Sequence, residues 1–269
     1  MGKPSGIIGG FNHLPNRISG KLFILLALGW LMAGPAHATV IVRQLDPTPE
    51  GWSIGLEGSY DDQSGSTEKR DYSAAFNILR KTGAHEWRAF GSLAYGRVNG
   101  VENENQGLVH VRYVRALTGN PLRVETFIQT EQDDFANMAE RSLLGGVVSR
   151  FFNSGDGERR VLAMVGLMRE SEEHLTNDTL DREVTRLTSS LQMSWLLPRD
   201  NKLYFISYLQ PNIDAPENDM RVTAELSLAI PLSDRLSLRT GYYYRYNDMP
   251  FDDIPREKKR LSTGFAYRF

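Results

Sequence analysis

Past Pro49 the sequence alternates between apolar and polar residues with a period of two. In residues 51–60 (GWSIGLEGSY), Trp52, Ile54, Leu56 and Tyr60 fall on one face and Ser53, Glu57 and Ser59 on the other. In residues 221–230, Val222, Ala224, Leu226, Leu228 and Ile230 oppose Arg221, Thr223, Glu225 and Ser227. Residues 235–246 repeat the pattern, with Leu236, Leu238, Tyr242, Tyr244 and Tyr246 against Ser237, Arg239, Gly241 and Arg245. Alternation at 180° per residue is the mark of a strand with one apolar and one wet face. It predicts twelve strands, over 51–60, 69–80, 85–98, 106–117, 122–131, 139–152, 158–170, 183–197, 201–210, 220–231, 234–246 and 259–269. Several exceed ten residues, whereas globular strands average about 5–6 and a tilted bilayer-spanning strand needs ~9–11.

The connections sharpen the expectation. Short turns near KTGA, TGNP, NSGDG, PRD and PLSD alternate with longer polar stretches near DDQSGSTE, NGVENEN, QDDFANM, SEEHLTNDTLD, PNIDAPEN and NDMPFDDIPRE. Short turns on one side and longer loops on the other are characteristic of outer-membrane barrels. In hydrocarbon every backbone N–H and C=O needs an internal partner, so a sheet spans a membrane only when it closes on itself. The fold class expected is all-β, a transmembrane antiparallel barrel of about twelve strands and outer-membrane type. Tyr60, Tyr95, Tyr113, Tyr242, Tyr244, Tyr246, Tyr267, Trp87 and Trp195 are candidates for its interfacial aromatic belts.

The first fifty residues differ in kind. Residues 22–33 (LFILLALGWLMA) are apolar, follow Arg17 and Lys21, and run into GPAHA. A cationic start, a short apolar core and an A-x-A site define a secretory signal peptide, with Ala36 and Ala38 at the recognised positions and Thr39 as the first mature residue. The organisation expected is a signal peptide over 1–38, a short periplasmic segment over 39–50 and the barrel over 51–269. At the other end, in RLSTGFAYRF, Phe265, Tyr267 and Phe269 share a face, and the aromatic last residue looks like the assembly signal read by the barrel-assembly machinery.

The run ETFIQTEQDDFANMAERSLLGGV resembles the middle of the salt-induced outer membrane protein family (domain of unknown function 481). An aromatic-rich strand leads to an acidic-aromatic loop, then Arg141 and a Leu-Gly-Gly strand. PLSDRLSLRTGYYYRYNDMP, the basic patch after it and the aromatic end strand agree, and the similarity covers most of residues 50–269. One departure is Phe251, which follows Pro250 where the family pattern has a second proline. The resemblance implies an outer-membrane barrel with a link to salt or osmotic stress, and it carries over no catalytic residue.

Charge and composition narrow the function. The 269 residues contain no Cys, which removes disulfides, thiolate metal sites and thiol nucleophiles. The net charge is −2, and Lys3, Arg17 and Lys21 belong to the leader, leaving −5 on the remainder. That acidic balance speaks against a nucleic-acid partner. Carboxylates gather where long loops are expected: Asp61, Asp62, Asp133, Asp134, Glu172, Glu173, Asp252 and Asp253. On one rim they would concentrate cations and could hold divalent cations beside lipopolysaccharide phosphates, although no calcium-loop spacing occurs. Solvated loop surface is the simpler explanation of the same residues.

Inward-facing charges of both signs are expected at Glu57, Arg88, Arg112, Arg123, Glu125, Arg186, Glu225, Arg239, Arg245 and Arg268. Barrels of ~8 strands are filled by side chains and those of ~16 enclose channels, so twelve strands leave two outcomes open. Arginine and glutamate pair into a plug, or they line a narrow porin-like passage favouring anions. A third possibility is a lipid-modifying enzyme. His85, His110 and His174 are the only histidines beyond the leader, and no His-x-Ser motif accompanies His110. The reading is therefore an outer-membrane structural or stress-related barrel with no enzymatic role and no cofactor. The narrow channel is its alternative, and its partners are membrane lipid, lipopolysaccharide and the assembly machinery.

Overall fold

A computed structural model describes residues 48–153, 158–234 and 236–267. Ala36, Ala38, Thr39, Arg268 and Phe269 lie outside the described residues, as do the side chains of Glu57, Phe265 and Tyr267. Twelve strands follow one another: β1 (Gly51–Gln63), β2 (Lys69–Thr82), β3 (His85–Val98), β4 (Val101–Ala116), β5 (Leu122–Asp133), β6 (Met138–Asn153), β7 (Arg159–His174), β8 (Arg182–Leu197), β9 (Asn201–Pro211), β10 (Met220–Pro231), β11 (Leu236–Asn247) and β12 (Glu257–Tyr267). They form one antiparallel sheet whose spatial order is the chain order. The sheet curls until its two ends, β1 and β12, line a single cavity together with β4, β5, β7 and β8.

The two faces of the sheet are chemically inverted relative to a water-soluble barrel. Outward residues are apolar and bare: Leu56 is 78% exposed and Leu144 64%, with Trp52, Ile128, Val165 and Leu187 also exposed. Inward residues on the same strands are polar and buried, Glu125, Glu170 and Arg186 each at 0%. Aromatic residues bracket the outer apolar band. At one edge Arg80 lies over Trp52, Arg150 over Phe152 and Arg159 over Trp195, at 5.1, 4.9 and 4.7 Å. At the other edge Tyr60 and Tyr72 approach to 5.0 Å and Tyr72 and Tyr95 to 6.4 Å. From Trp52 to Tyr60 the strand climbs ~27 Å, or ~21 Å along an axis tilted ~40°. An outer-membrane apolar band is ~25 Å tall.

Two expectations about connections are corrected. The polar stretch at 99–105 is no long loop. Val98 pairs with Val101 across a two-residue Asn99-Gly100 turn, with φ of 50° and 79°, the pair of positive values that a tight hairpin demands. The residues after it extend β4, and their polar side chains belong to a strand. Similarly, the acidic run at 170–174 completes β7, so Glu172 and Glu173 are strand residues, as are Asp61 and Asp62 on β1 and Asp133 at the end of β5. Asp134 opens a short 3₁₀ turn at Asp134–Ala136, and Asp252 and Asp253 are exposed residues of the β11–β12 loop.

The paired glycines of β6 sit in regular strand. They make no bulge there: Gly145 and Gly146 keep regular register with Phe127 and Thr126. Gly145 faces inward, where a Cβ would collide with the Phe127 ring. The absent side chain makes room for that ring in the lumen.

Candidate functional site: a lumen filled on one side

Cross-strand register assembles a belt of alternating charge near one end of the lumen. Glu131 on β5 stands opposite Arg141 on β6, Arg141 opposite Glu172 on β7, and Glu172 opposite Arg182 on β8. Directly opposed residues on one face are the closest side-chain neighbours a sheet offers, and these four bond accordingly. Arg141 reaches Glu131 at 2.7 Å and Glu172 at 3.3 Å, and Arg182 reaches Glu172 at 2.5 Å.

One inward position deeper, Glu170 takes Arg141 at 2.6 Å, Arg186 at 3.0 Å and Arg221 of β10 at 3.2 Å. Arg186 continues to Asp219 at 2.8 Å and donates to the carbonyls of Gln210 and Asp219, both at 3.2 Å. Arg221 also binds Glu172 at 2.7 Å. Four arginines (141, 182, 186 and 221) thus meet four carboxylates (131, 170, 172 and 219), and the network is neutral. Its neutrality matters, because a buried charge without a partner carries several kcal/mol of desolvation cost.

Beneath the network the lumen is apolar, packed by Phe127, Leu143, Val147, Leu162, Met164 and Met168. A residual cavity of about 80 Å³ lies between this cluster and the charges. Lower still, Glu125 receives Arg112 at 2.8 Å, lies 3.7 Å from Arg123 and accepts from Ser149. Arg112 also crosses to Met164 Sδ at 3.8 Å, joining β4 to β7 through the interior. Arg88 pairs with Glu86 and donates to Thr48 Oγ1 at 2.9 Å. His110 is buried between the Phe90 and Phe127 rings, with centroids at 4.7 and 5.6 Å. Its Nε2 accepts from Arg112 at 3.3 Å, and Nδ1 lies 2.9 Å from Gln129 Oε1.

The opposite side of the lumen is lined differently. The inward positions of β1 and β2 include Ser53, Gly55, Ser59, Ser73 and Ala75, all small and at least partly open to solvent. Glu225, Arg239 and Arg245 face this more open side from β10 and β11, with Arg239 exposed. Above lies a cavity of about 560 Å³. The β11–β12 loop lowers Phe251 into its wall, buried beneath the Arg182 guanidinium at 4.8 Å and edge-on to His174 at 4.9 Å.

Of the residues singled out from sequence, Arg88, Arg112, Arg123, Glu125 and Arg186 enter buried contacts, and Glu225, Arg239 and Arg245 stand on the open side. Glu172 moves from the predicted outer loops into the neutral network. Sequence reasoning missed Glu131, Arg141, Glu170, Arg182 and Asp219 as lumen residues, and set Arg221 on the polar face without a partner. The signal was present for Glu170 and Glu172, which continue the inward series Leu162, Met164, Gly166, Met168 at steps of two. Among the described residues no group of three or more metal-type ligands converges.

A curled antiparallel sheet with an apolar outside, a charged inside and two aromatic edges defines an outer-membrane type of β-barrel. The chain belongs to a family described as Protein of unknown function, DUF481, whose model matches residues 56–269. No curated protein matches it. In arrangement it is similar to the NanC porin, with 10% identity over 81% of this chain and 99% of that one, at a TM-score of 0.46. It is also similar to the translocator domain of autotransporter NalP from Neisseria meningitidis, with 13% identity, 84% and 91% coverage and a TM-score of 0.42. A third is the transport unit of the autotransporter AIDA-I from Escherichia coli, with 12% identity, 85% and 93% coverage and a TM-score of 0.34.

Proposed function

We propose that the protein resides in the bacterial outer membrane, after export on a cleaved leader, as a non-catalytic barrel with a narrow passage for small solutes. The observation that carries this reading is the unequal filling of the lumen. Bulky, extensively bonded side chains occupy the side of β4 to β9, while the inward positions of β1 and β2 include the small residues Ser53, Gly55, Ser59, Ser73 and Ala75, at least partly open to solvent. The filled side stiffens the wall and restricts the bore. His110 is 3% exposed and engaged at both ring nitrogens, which supports a structural role for it in place of a general base.

A wholly structural barrel is the second reading, favoured by the inward loop carrying Phe251, which narrows the mouth. Planar-bilayer recording separates the two. The passage predicts small, uniform conductance steps from the purified, folded protein, and persistent silence would leave the structural reading. Lipid, lipopolysaccharide and the assembly machinery are the partners proposed. The salt-stress link belongs to the same proposal, since a narrow charged passage alters solute exchange across the envelope. Slower growth of a deletion strain at raised salt would support it.

A further inference from the structure

The open side of the lumen has a chemistry of its own. Two positions apart on a strand means the same face, so Arg239 and Arg245 of β11 point inward with the buried Tyr243. On β12, Lys258 registers opposite Arg245 and Arg260 opposite Tyr243, and Arg260 lies 5.6 Å over the Tyr243 ring. Four cations therefore share the inner face of two neighbouring strands. From Arg239 to Arg245 the ladder extends ~20 Å along the strand, or ~15 Å of the ~25 Å height of an apolar band at a tilt of ~40°. Arg239, Lys258 and Arg260 are exposed to solvent, in contrast to the arginines of the neutral network.

The carboxylates near this ladder are placed mostly at its top. Asp61, Asp71, Glu104, Asp133, Glu172 and Glu257 line the 560 Å³ cavity together with Lys69, Arg182, Arg245, Arg256 and Lys258, so charge nearly balances at the mouth. Lower down, Glu225 stands opposite Tyr243 on β10. Past that level the inward positions of β1 and β2 include the small or neutral residues Ser53, Gly55, Ala75 and Asn77, beside Glu57 in register with Ala75. A low-dielectric wall around a narrow water column focuses such a field and enriches the counter-ion.

We propose that the inner faces of β11 and β12 form a stepped track that selects small anions. This rests on the narrow-passage reading above. The mouth cavity admits ions of either sign, and the arginines below it pass them preferentially as anions. Neighbouring cationic sites also allow an anion to be handed on without being trapped, which conduction requires.

The test uses the full-length processed protein in a planar bilayer under a tenfold KCl gradient. The expected reversal potential lies towards the chloride equilibrium value. Replacing both Arg239 and Arg260 by Ser lowers the chloride-to-potassium permeability ratio several-fold while channels still open. Arg260→Glu lowers it further, and heat-shifted migration on a gel verifies that each variant is folded. Conductance without preference, a preference for potassium, or an unchanged ratio in the double variant would each overturn the anion track and leave the passage standing. A silent bilayer removes passage and track together.

Discussion

Asn137 and Asp252 lie 115 residues apart in the chain and meet at the mouth of the barrel, where Asn137 Nδ2 donates to the Asp252 carbonyl at 2.9 Å. The bond ties the β5–β6 turn to the β11–β12 loop and holds Phe251 against the wall of the cavity. Removing the wedge opens the mouth. Phe251→Ala gives larger single-channel steps and faster proteolysis across residues 248–256. Asn137→Ala shows the same changes in weaker form. Unchanged conductance and unchanged cleavage in Phe251→Ala would mean that the loop does not restrict the passage.

The neutral network predicts a cost that depends on which charge is lost. Glu170 answers three arginines, so Glu170→Ala leaves buried positive charge with too few partners. Breaking a buried ion pair from one side costs about 3–5 kcal/mol, measurable by urea unfolding in micelles. By contrast, Arg169 and Glu183 form an exposed pair on the outer surface, where removing either partner costs under about 1 kcal/mol. Similar losses at both sites would contradict the burial of the network.

Gly145 and the Phe127 ring make a packing test with a rescue. Gly145→Val forces a side chain into the ring, and overpacking of this kind costs about 1–3 kcal/mol. Adding Phe127→Leu frees the space and restores much of the loss, so the two substitutions are non-additive in the same unfolding assay. Full additivity would place the ring elsewhere.

Leu143 and Leu144 are chain neighbours with opposite surroundings, one buried in the lumen cluster at 6% exposure and the other 64% exposed outside. In water, a polar substitution at such an exposed site changes stability by no more than about 0.5 kcal/mol. Facing lipid, Leu144→Arg costs about 2–4 kcal/mol near the midplane and lowers the yield of inserted protein. A neutral outcome in lipid vesicles would show that this face meets water.

These tests also mark where the sequence was legible. Strands such as β3 and β10 announce themselves because outward residues must be apolar to meet lipid, and that demand writes a period of two. The rims were read less well. Above the lipid the outward positions are released from that demand, so outward Ser171 and Glu173 are polar like their inward neighbour Glu172, and the stretch resembles a solvated loop although β7 continues to His174. The Asn99-Gly100 turn was hidden in the same way by polar neighbours. Partners in the network lie on strands far apart in sequence, such as Arg221 and Glu172, and only register brings them together. Glu131, Arg141 and Arg221 could not be told from other charges by alternation, which fixes a residue's face and leaves its partner open.

The inverted faces of the curled sheet require a barrel with lipid on its outside and charge within. Gel electrophoresis of the processed protein, refolded in detergent and loaded with and without boiling, tests it most directly. A closed barrel resists the detergent at room temperature, so the unboiled sample runs as a distinct, faster band and moves to the position expected for its mass only after heating. A single unchanged band under both conditions, from protein that stays dissolved with no detergent present, would contradict the account.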